Sequence, residues 1–256
     1  MTSDPIYLLS TAIVSPDVPP LTGRVVLEQK AFISVELLPA GAFPFSPEQA
    51  RVVVFTSTHA VEAVGGGLAV GGGLAVGGGL APGAQRAVGG HPAPGGQQPG
   101  CRIYCTGGAT ADWVAETFGA GTIAGTADSA RALAAVIIAK EHPQPVCFFC
   151  GDRSREELPA ELKKAGFTVL ERIVYRTLLT PQKTDRSYRG IAFFSPSGVE
   201  SYFAVNHAGD AVLFAIGAST AEAILARCEN PVVVGDSPGK SLLIKKMIGY
   251  FDHGKK

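Results

Sequence analysis

The first thing this chain lacks is net charge: its 22 Lys and Arg side chains are balanced by 22 Asp and Glu. A nucleic-acid partner would call for a basic surplus or stripe to meet phosphates, and none is visible, so none is expected. Also missing is any apolar run of the roughly 20 residues needed to span a bilayer. The opening, Met1-Thr2-Ser3-Asp4-Pro5, is no signal peptide. The chain therefore reads as soluble and cytoplasmic, with no membrane partner. Five cysteines make an odd count, which argues against a closed disulfide framework. The five histidines (His59, His91, His142, His207 and His253) show no metal spacing, so no metal site is expected. There is no G-x-S-x-G elbow, no H-E-x-x-H and no paired acidic motif. Any catalysis must rest on positioning and backbone dipoles, with few acid–base groups.

What the chain does have is apolar sequence in a repeating order. At 256 residues and 46% apolar content it can form one large or two small domains. Strands are expected at 6–10, 52–56, 102–105, 145–150, 190–194, 212–216 and 231–234. Helices are expected at 110–118, 129–140, 155–165, 198–206, 220–227 and 240–250. Strand and helix alternate, and the strands are near-continuous apolar runs. That pattern marks parallel sheets covered on both faces.

Four of these strands run into a Ser, Thr or Gly corner before the next helix-like stretch. The corners are Phe55-Thr56-Ser57-Thr58, Thr106-Gly107-Gly108-Ala109-Thr110, Ser195-Pro196-Ser197-Gly198 and Gly217-Ala218-Ser219-Thr220. At a helix start the first N–H groups have no partner within the helix and lie at the positive end of its dipole. Such corners suit carboxylate or phosphate. Four together suggest a ligand with several negative groups, held without a cluster of Arg and Lys.

Helix starts carry further signals. Ser154-x-x-Glu157, Ser197-x-x-Glu200 and Ser219-x-x-Glu222 fit the capping box, and Ser237-Pro238 places a cap before a first-turn proline. His59, beside the first corner, reads as a solvent-facing first-turn residue. Cys147 and Cys150 match C-x-x-C inside a strand-like run, where residues three apart point to opposite faces; both read as core, as do Cys101 and Cys105. Gly235-Asp-Ser-Pro-Gly239-Lys240-Ser241 resembles a phosphate-binding loop. It has three residues before its Gly-Lys where that loop needs four, and Pro238 removes one N–H from the cradle. It reads as an ordinary capped helix.

Residues 65–100 stand apart. Gly65-Gly-Gly-Leu-Ala-Val70 repeats at 71–76, recurs ending in Pro82, and leads into a Gly/Pro/Gln-rich stretch. Glycine's entropy cost argues against a helix there, and little apolar surface is available to fold on. A flexible insertion is expected.

Two β-branched-rich segments, 31–38 and 168–179, lack helical partners and each ends near a proline. They read as paired crossings between two α/β lobes. Residues 1–34 with 178–256 would form one discontinuous domain, and 39–171 the other. The ligand would then lie in a cleft between lobes. Tyr175, on the second crossing, could donate a hydrogen bond to a departing hydroxyl as a weak general acid, or could simply pack at the hinge.

In order along the chain, Val54-Phe55-Thr56-Ser57…Ala60-Val61-Glu62-Ala63, Tyr104-Cys105-Thr106-Gly107-Gly108-Ala109-Thr110-Ala111, Cys150-Gly151-Asp152…Arg155…Leu158-Pro159, Val174-Tyr175-Arg176-Thr177, Phe193-Phe194-Ser195-Pro196-Ser197-Gly198-Val199 and Ala215-Ile216-Gly217…Thr220-Ala221 resemble uroporphyrinogen-III synthases. The resemblance covers most of residues 50–240. It implies two parallel-sheet α/β lobes joined by a two-stranded antiparallel hinge. It also implies a monomeric lyase without metal or organic cofactor, acting on a linear tetrapyrrole that carries eight carboxylate arms. The reaction implied is cyclisation of hydroxymethylbilane to uroporphyrinogen III, with inversion of the last pyrrole ring and loss of water. By position, Tyr175 matches the candidate acid. Ser57, Thr110, Ser195, Ser197 and Thr220 match cleft-lining residues, and Thr58, Gly108, Gly198 and Ser219 share their corners as expected substrate contacts. Two departures stand out: Ser15-Pro16-Asp17-Val18-Pro19-Pro20 lies where many members have a helix, and the glycine-rich insertion interrupts a helix and loop. The rival reading is a non-catalytic two-lobe binding module for an anionic small molecule.

Overall fold

Alternate residues of the apolar strands feed different cores, as a sheet covered on both faces requires. The structure is a computed structural model that describes residues 4–14, 24–38, 51–68, 101–237 and 239–252. It divides into two units, 1–34 with 177–256, and 35–176.

In the second unit the chain runs β4 (Val52–Phe55), α1 (Thr58–Leu68), β5 (Arg102–Thr106), α2 (Ala109–Phe118), β6 (Ile123–Ala127), α3 (Ala130–Lys140), β7 (Pro145–Gly151), α4 (Glu157–Lys164) and β8 (Thr168–Leu179). Five parallel strands lie in the order β8-β7-β4-β5-β6. Val53, Phe55, Cys147 and Phe149 pack with α1 and α2 on one face; Val52, Val54, Phe148 and Cys150 pack with α3 and α4 on the other. The two cysteines of the C-x-x-C run therefore sit in separate cores. Numbered by chain order within the unit, the strands read 5-4-1-2-3. The winding reverses between β4 and β7, the place where open α/β sheets bind ligands.

The first unit repeats the logic with β1 (Ile6–Ser10), β2 (Val25–Gln29), β9 (Gly190–Phe193), α5 (Pro196–Phe203), β10 (Val212–Ala215), α6 (Ala218–Leu225), β11 (Val232–Val234) and α7 (Lys240–Asp252). Its parallel order is β11-β10-β9-β1-β2, and the reversal falls between β1 and β9. Leu9, Ile191, Phe193, Leu213 and Ala215 pack with α5 and α6; Leu8, Ala192 and Phe214 pack with α7.

The chain passes between units along β3 (Ile33–Leu37) and β8, which are hydrogen-bonded neighbours. Leu38 N–H donates to Val174 O at 2.9 Å, and Thr180 N–H to Phe32 O at 3.0 Å. One strand's numbers rise as the other's fall, so the pair is antiparallel.

Several local expectations need correction. The helix-like stretch expected after the first corner is α1, but it runs on through Gly65–Gly67 to Leu68, into the stretch whose glycines argue against helix. The reason is packing: a Cβ at Gly65 would stand 2.5 Å from Thr117 Cγ2 on α2, so the bare position lets the two helices approach. Residues 69–100 of that stretch, and the 15–20 segment, lie outside the described residues. β2 was also missed. The capping residues differ as well. α4 starts beyond Ser154, at Glu157, with no side-chain cap. α5 is capped by Ser195 and α6 begins after Gly217, so Ser197 and Ser219 sit inside the first turn. α7 starts at Lys240, with Gly239 O accepting from Leu243 N–H, so Ser237 is not its cap.

Candidate functional site

Within the second unit, the chemistry gathers at the switch point. β4 ends at Phe55, and the turn that follows is organised by Ser57. Its carbonyl accepts from the N–H groups of Ala60 (3.2 Å) and Val61 (3.3 Å), and its hydroxyl accepts from His59 N–H at 3.2 Å. Ser57 and Thr58 are both half-buried. The neighbouring strand, β5, ends at Thr106 and is followed by Gly107-Gly108. Gly108 has φ 63°, a backbone that favours glycine, and it caps α2 through its carbonyl to Asp112 N–H at 3.1 Å. No side chain caps α2, so its first N–H groups stay unpaired by the usual device. Thr110 is buried beneath this turn, and the exposed Asp112 partly offsets the helix dipole.

Across the switch point, β7 ends at Gly151. The β7–β8 register slips by one residue there, from Cys150 opposite Ile173 to Gly151 opposite Tyr175. Such a bulge re-aims side chains. Val174 and Tyr175 are consecutive, yet both pack against the core that holds α1 and α2. Tyr175 is thereby brought to the end of β7 beside α1: its ring centroid is 5.6 Å from that of His59. Burial pushes its phenol pKa above the ordinary 10, and a hydrogen bond with Ser57 works against that. The phenol stays protonated at neutral pH and can donate. Ser57, Gly151 and Tyr175 thus converge.

In the first unit the Ser195 hydroxyl accepts from Gly198 N–H at 3.0 Å, and Pro196 occupies the first helical position. Gly198 is buried; a Cβ there would lie 3.4 Å from Ser195 Oγ and 3.8 Å from Thr11 Oγ1. On β10's side, Gly217 O accepts from Thr220 N–H and Ala221 N–H, both at 3.1 Å, and no side chain caps α6. Ser219 is half-buried and Thr220 is 1% exposed. Both corners follow adjacent strands at their carboxyl ends.

Sequence reasoning missed Thr11 and Gly151. Thr11 follows β1 at the first unit's switch point and lies close to Gly198; a strand ending in Ser-Thr was the available signal. His59 faces Tyr175 as well as solvent. Among the described residues, no group of three His, Cys, Asp or Glu could hold a metal ion, and no helix is long and apolar enough to cross a membrane.

A family model described as uroporphyrinogen-III synthase HemD matches residues 41–244. The chain belongs to the uroporphyrinogen-III synthase family. The fold agrees. A uroporphyrinogen-III synthetase structure from Helicobacter pylori matches with a TM-score of 0.61 at 11% identity, covering 96% of this chain and 99% of that one. A mutant uroporphyrinogen III synthase from Thermus thermophilus matches with a TM-score of 0.60 at 14% identity, over 96% of this chain and 99% of that one. No curated protein sequence matches.

Proposed function

We propose that this protein closes the linear tetrapyrrole hydroxymethylbilane into uroporphyrinogen III, inverting the last pyrrole ring and releasing water. The observation that carries the reading is the meeting of Ser57, Gly151 and Tyr175 at a switch point, in a chain of this family. In the proposed reaction, pyrrole electron density expels the terminal hydroxyl as the C–O bond breaks. Tyr175 donates the hydrogen bond that eases its departure as water. The resulting cation is attacked by the substituted carbon of the last ring, giving a spiro intermediate that reopens and recloses at that ring's unsubstituted carbon, inverting the ring. That carbon then loses its proton, which replaces the one that left with the hydroxyl as water.

The substrate's carboxylate arms suit the positive ends of the α1, α2, α5 and α6 dipoles, and at α2 and α6 no side chain takes up the first N–H groups. In this reading Ser57, Thr58, Gly108 and Thr110 of one unit, and Ser195, Ser197, Gly198, Ser219 and Thr220 of the other, are substrate-binding positions. Buried Thr110, Gly198 and Thr220 shape the turns rather than reach out. Holding the reacting ends in near-attack geometry supplies much of the rate, and fixed amide dipoles orient the arms without reorganising. The family resemblance further supports a cytoplasmic, monomeric lyase.

The test is incubation with hydroxymethylbilane followed by separation of isomers I and III. Isomer III in excess over the spontaneous isomer I is expected. Tyr175→Phe should slow closure several-fold or more with the fold intact. Binding without closure would leave only an anion-binding module, and unchanged Tyr175→Phe kinetics would remove the phenol from the reaction.

A further inference from the structure

The end of β7 carries a constraint that reaches Tyr175 without touching substrate. Gly151 is buried and lies directly opposite Tyr175 across the bulge. A Cβ built on Gly151 would overlap Cε2 of the Tyr175 ring, stand 2.5 Å from Cζ and lie 2.8 Å from the hydroxyl oxygen. All three nearest atoms belong to one side chain, at its functional end. The two strands are tied together just past the bulge, where Asp152 N–H donates to Tyr175 O at 3.1 Å. His59 packs against the same ring and limits where it can turn. Gly151 is not in the left-handed region, so an alanine there meets no backbone penalty. Its nearest conflict is with the phenol.

We propose that Gly151 is a positioning residue for Tyr175: its bare Cα is the seat on which the phenol lies, and the absent side chain fixes where the hydroxyl points. The inference rests on the reading that Tyr175 serves the reaction, and it adds a second position that this reading must obey. A misplacement on the order of 1 Å can cost about 100-fold in rate. One methyl at Gly151 forces a shift of that size on the hydroxyl.

The experiment compares Gly151→Ala, Tyr175→Phe and the double variant by steady-state kinetics with hydroxymethylbilane, alongside fluorine NMR of 3-fluorotyrosine-labelled protein. The Tyr175 resonance is assigned by its loss in Tyr175→Phe. Gly151→Ala is expected to shift that resonance, to lower kcat about 10- to 100-fold with KM little changed, and to add nothing to Tyr175→Phe. A folded Gly151→Ala protein with wild-type kcat beside a slow Tyr175→Phe overturns the proposal, as do additive losses in the double variant. Wild-type turnover by Tyr175→Phe sinks the underlying reading instead, and the resonance then still reports whether Gly151 seats the ring. Should Gly151→Ala fail to fold, adding Tyr175→Ala removes the ring that clashes. Recovery of folding supports the seat; continued misfolding refutes it.

Discussion

The Thr11 hydroxyl donates to the carbonyl of Ala192 at 2.8 Å, and the Thr11 N–H donates to the same oxygen at 3.0 Å. Two donors from the end of β1 thus converge on β9, three residues before Ser195 opens the next turn. The hydroxyl is buried, with Thr11 only 2% exposed, so it joins strands rather than meeting a ligand. Thr11→Val keeps the shape and leaves Ala192 O its N–H partner. Stability should fall by about 1 kcal/mol, the usual net worth of one hydrogen bond, with turnover near wild type. Denaturant melts and a turnover assay check this. A large loss of turnover at full stability would mean that the hydroxyl meets substrate.

Thr220 offers the opposite case, a corner residue whose volume matters. It lies in the first turn of α6, 1% exposed, with its N–H bound to Gly217 O. Methionine there adds atoms to a filled site, and overpacking costs about 1–3 kcal/mol. Thr220→Met should melt at lower temperature and lose activity as the turn distorts. Normal melting with normal turnover would show that the corner has spare room.

These cases show what the sequence makes legible. Strands covered on both faces are long apolar runs, so β4, β7 and β9 can be placed to within a residue of their observed ends. β2 escapes because it is an edge strand: Val25 is buried, but Glu28 and Gln29 are only half-buried and break the run. The far end of α1 escapes because helix propensity counts Gly65 against it, whereas contact with Thr117 on α2 rewards the missing side chain. The capping boxes at Ser197 and Ser219 mislead because the cap position of each helix lies two residues earlier, at Ser195 and Gly217. Of the site, the corners and Tyr175 can be read locally. Gly151 cannot, since its role depends on a register slip between strands more than 20 residues apart in chain.

The cysteines make a chemical prediction. Burial pushes the Cys147 thiol up to about 12, and those of Cys105 and Cys150 to about 11. A thiolate is the reactive form, so these three should be inert at neutral pH. Cys101 and Cys228 are less enclosed, and burial also raises Cys101. Titration of native protein with a chromogenic disulfide reagent at pH 8 should release at most two equivalents rapidly, and five after denaturation. Rapid release of more than two would mean that the cores open readily.

Glu28 on β2 sets an acid limit for the first unit. It accepts from the Tyr188 hydroxyl at 2.6 Å, with Lys30 at 3.0 Å and Arg186 at 4.0 Å. The Tyr188 bond is the main influence lowering its pKa below the ordinary 4.5, with burial opposing and the cations assisting. A carboxyl more acidic when folded binds fewer protons in the native state. Its stabilisation is therefore full above pH 4.5 and is lost as pH falls through the lower folded value. Tyr188→Phe should cost about 1 kcal/mol at pH 7, the low end for a charge-assisted bond because Glu28 is partly solvated. The difference between wild type and variant should shrink on acidification below pH 4.5, as measured by denaturant melts across pH 3 to 7. A difference that stays constant over that range would show that the pair gains nothing from the carboxylate's charge.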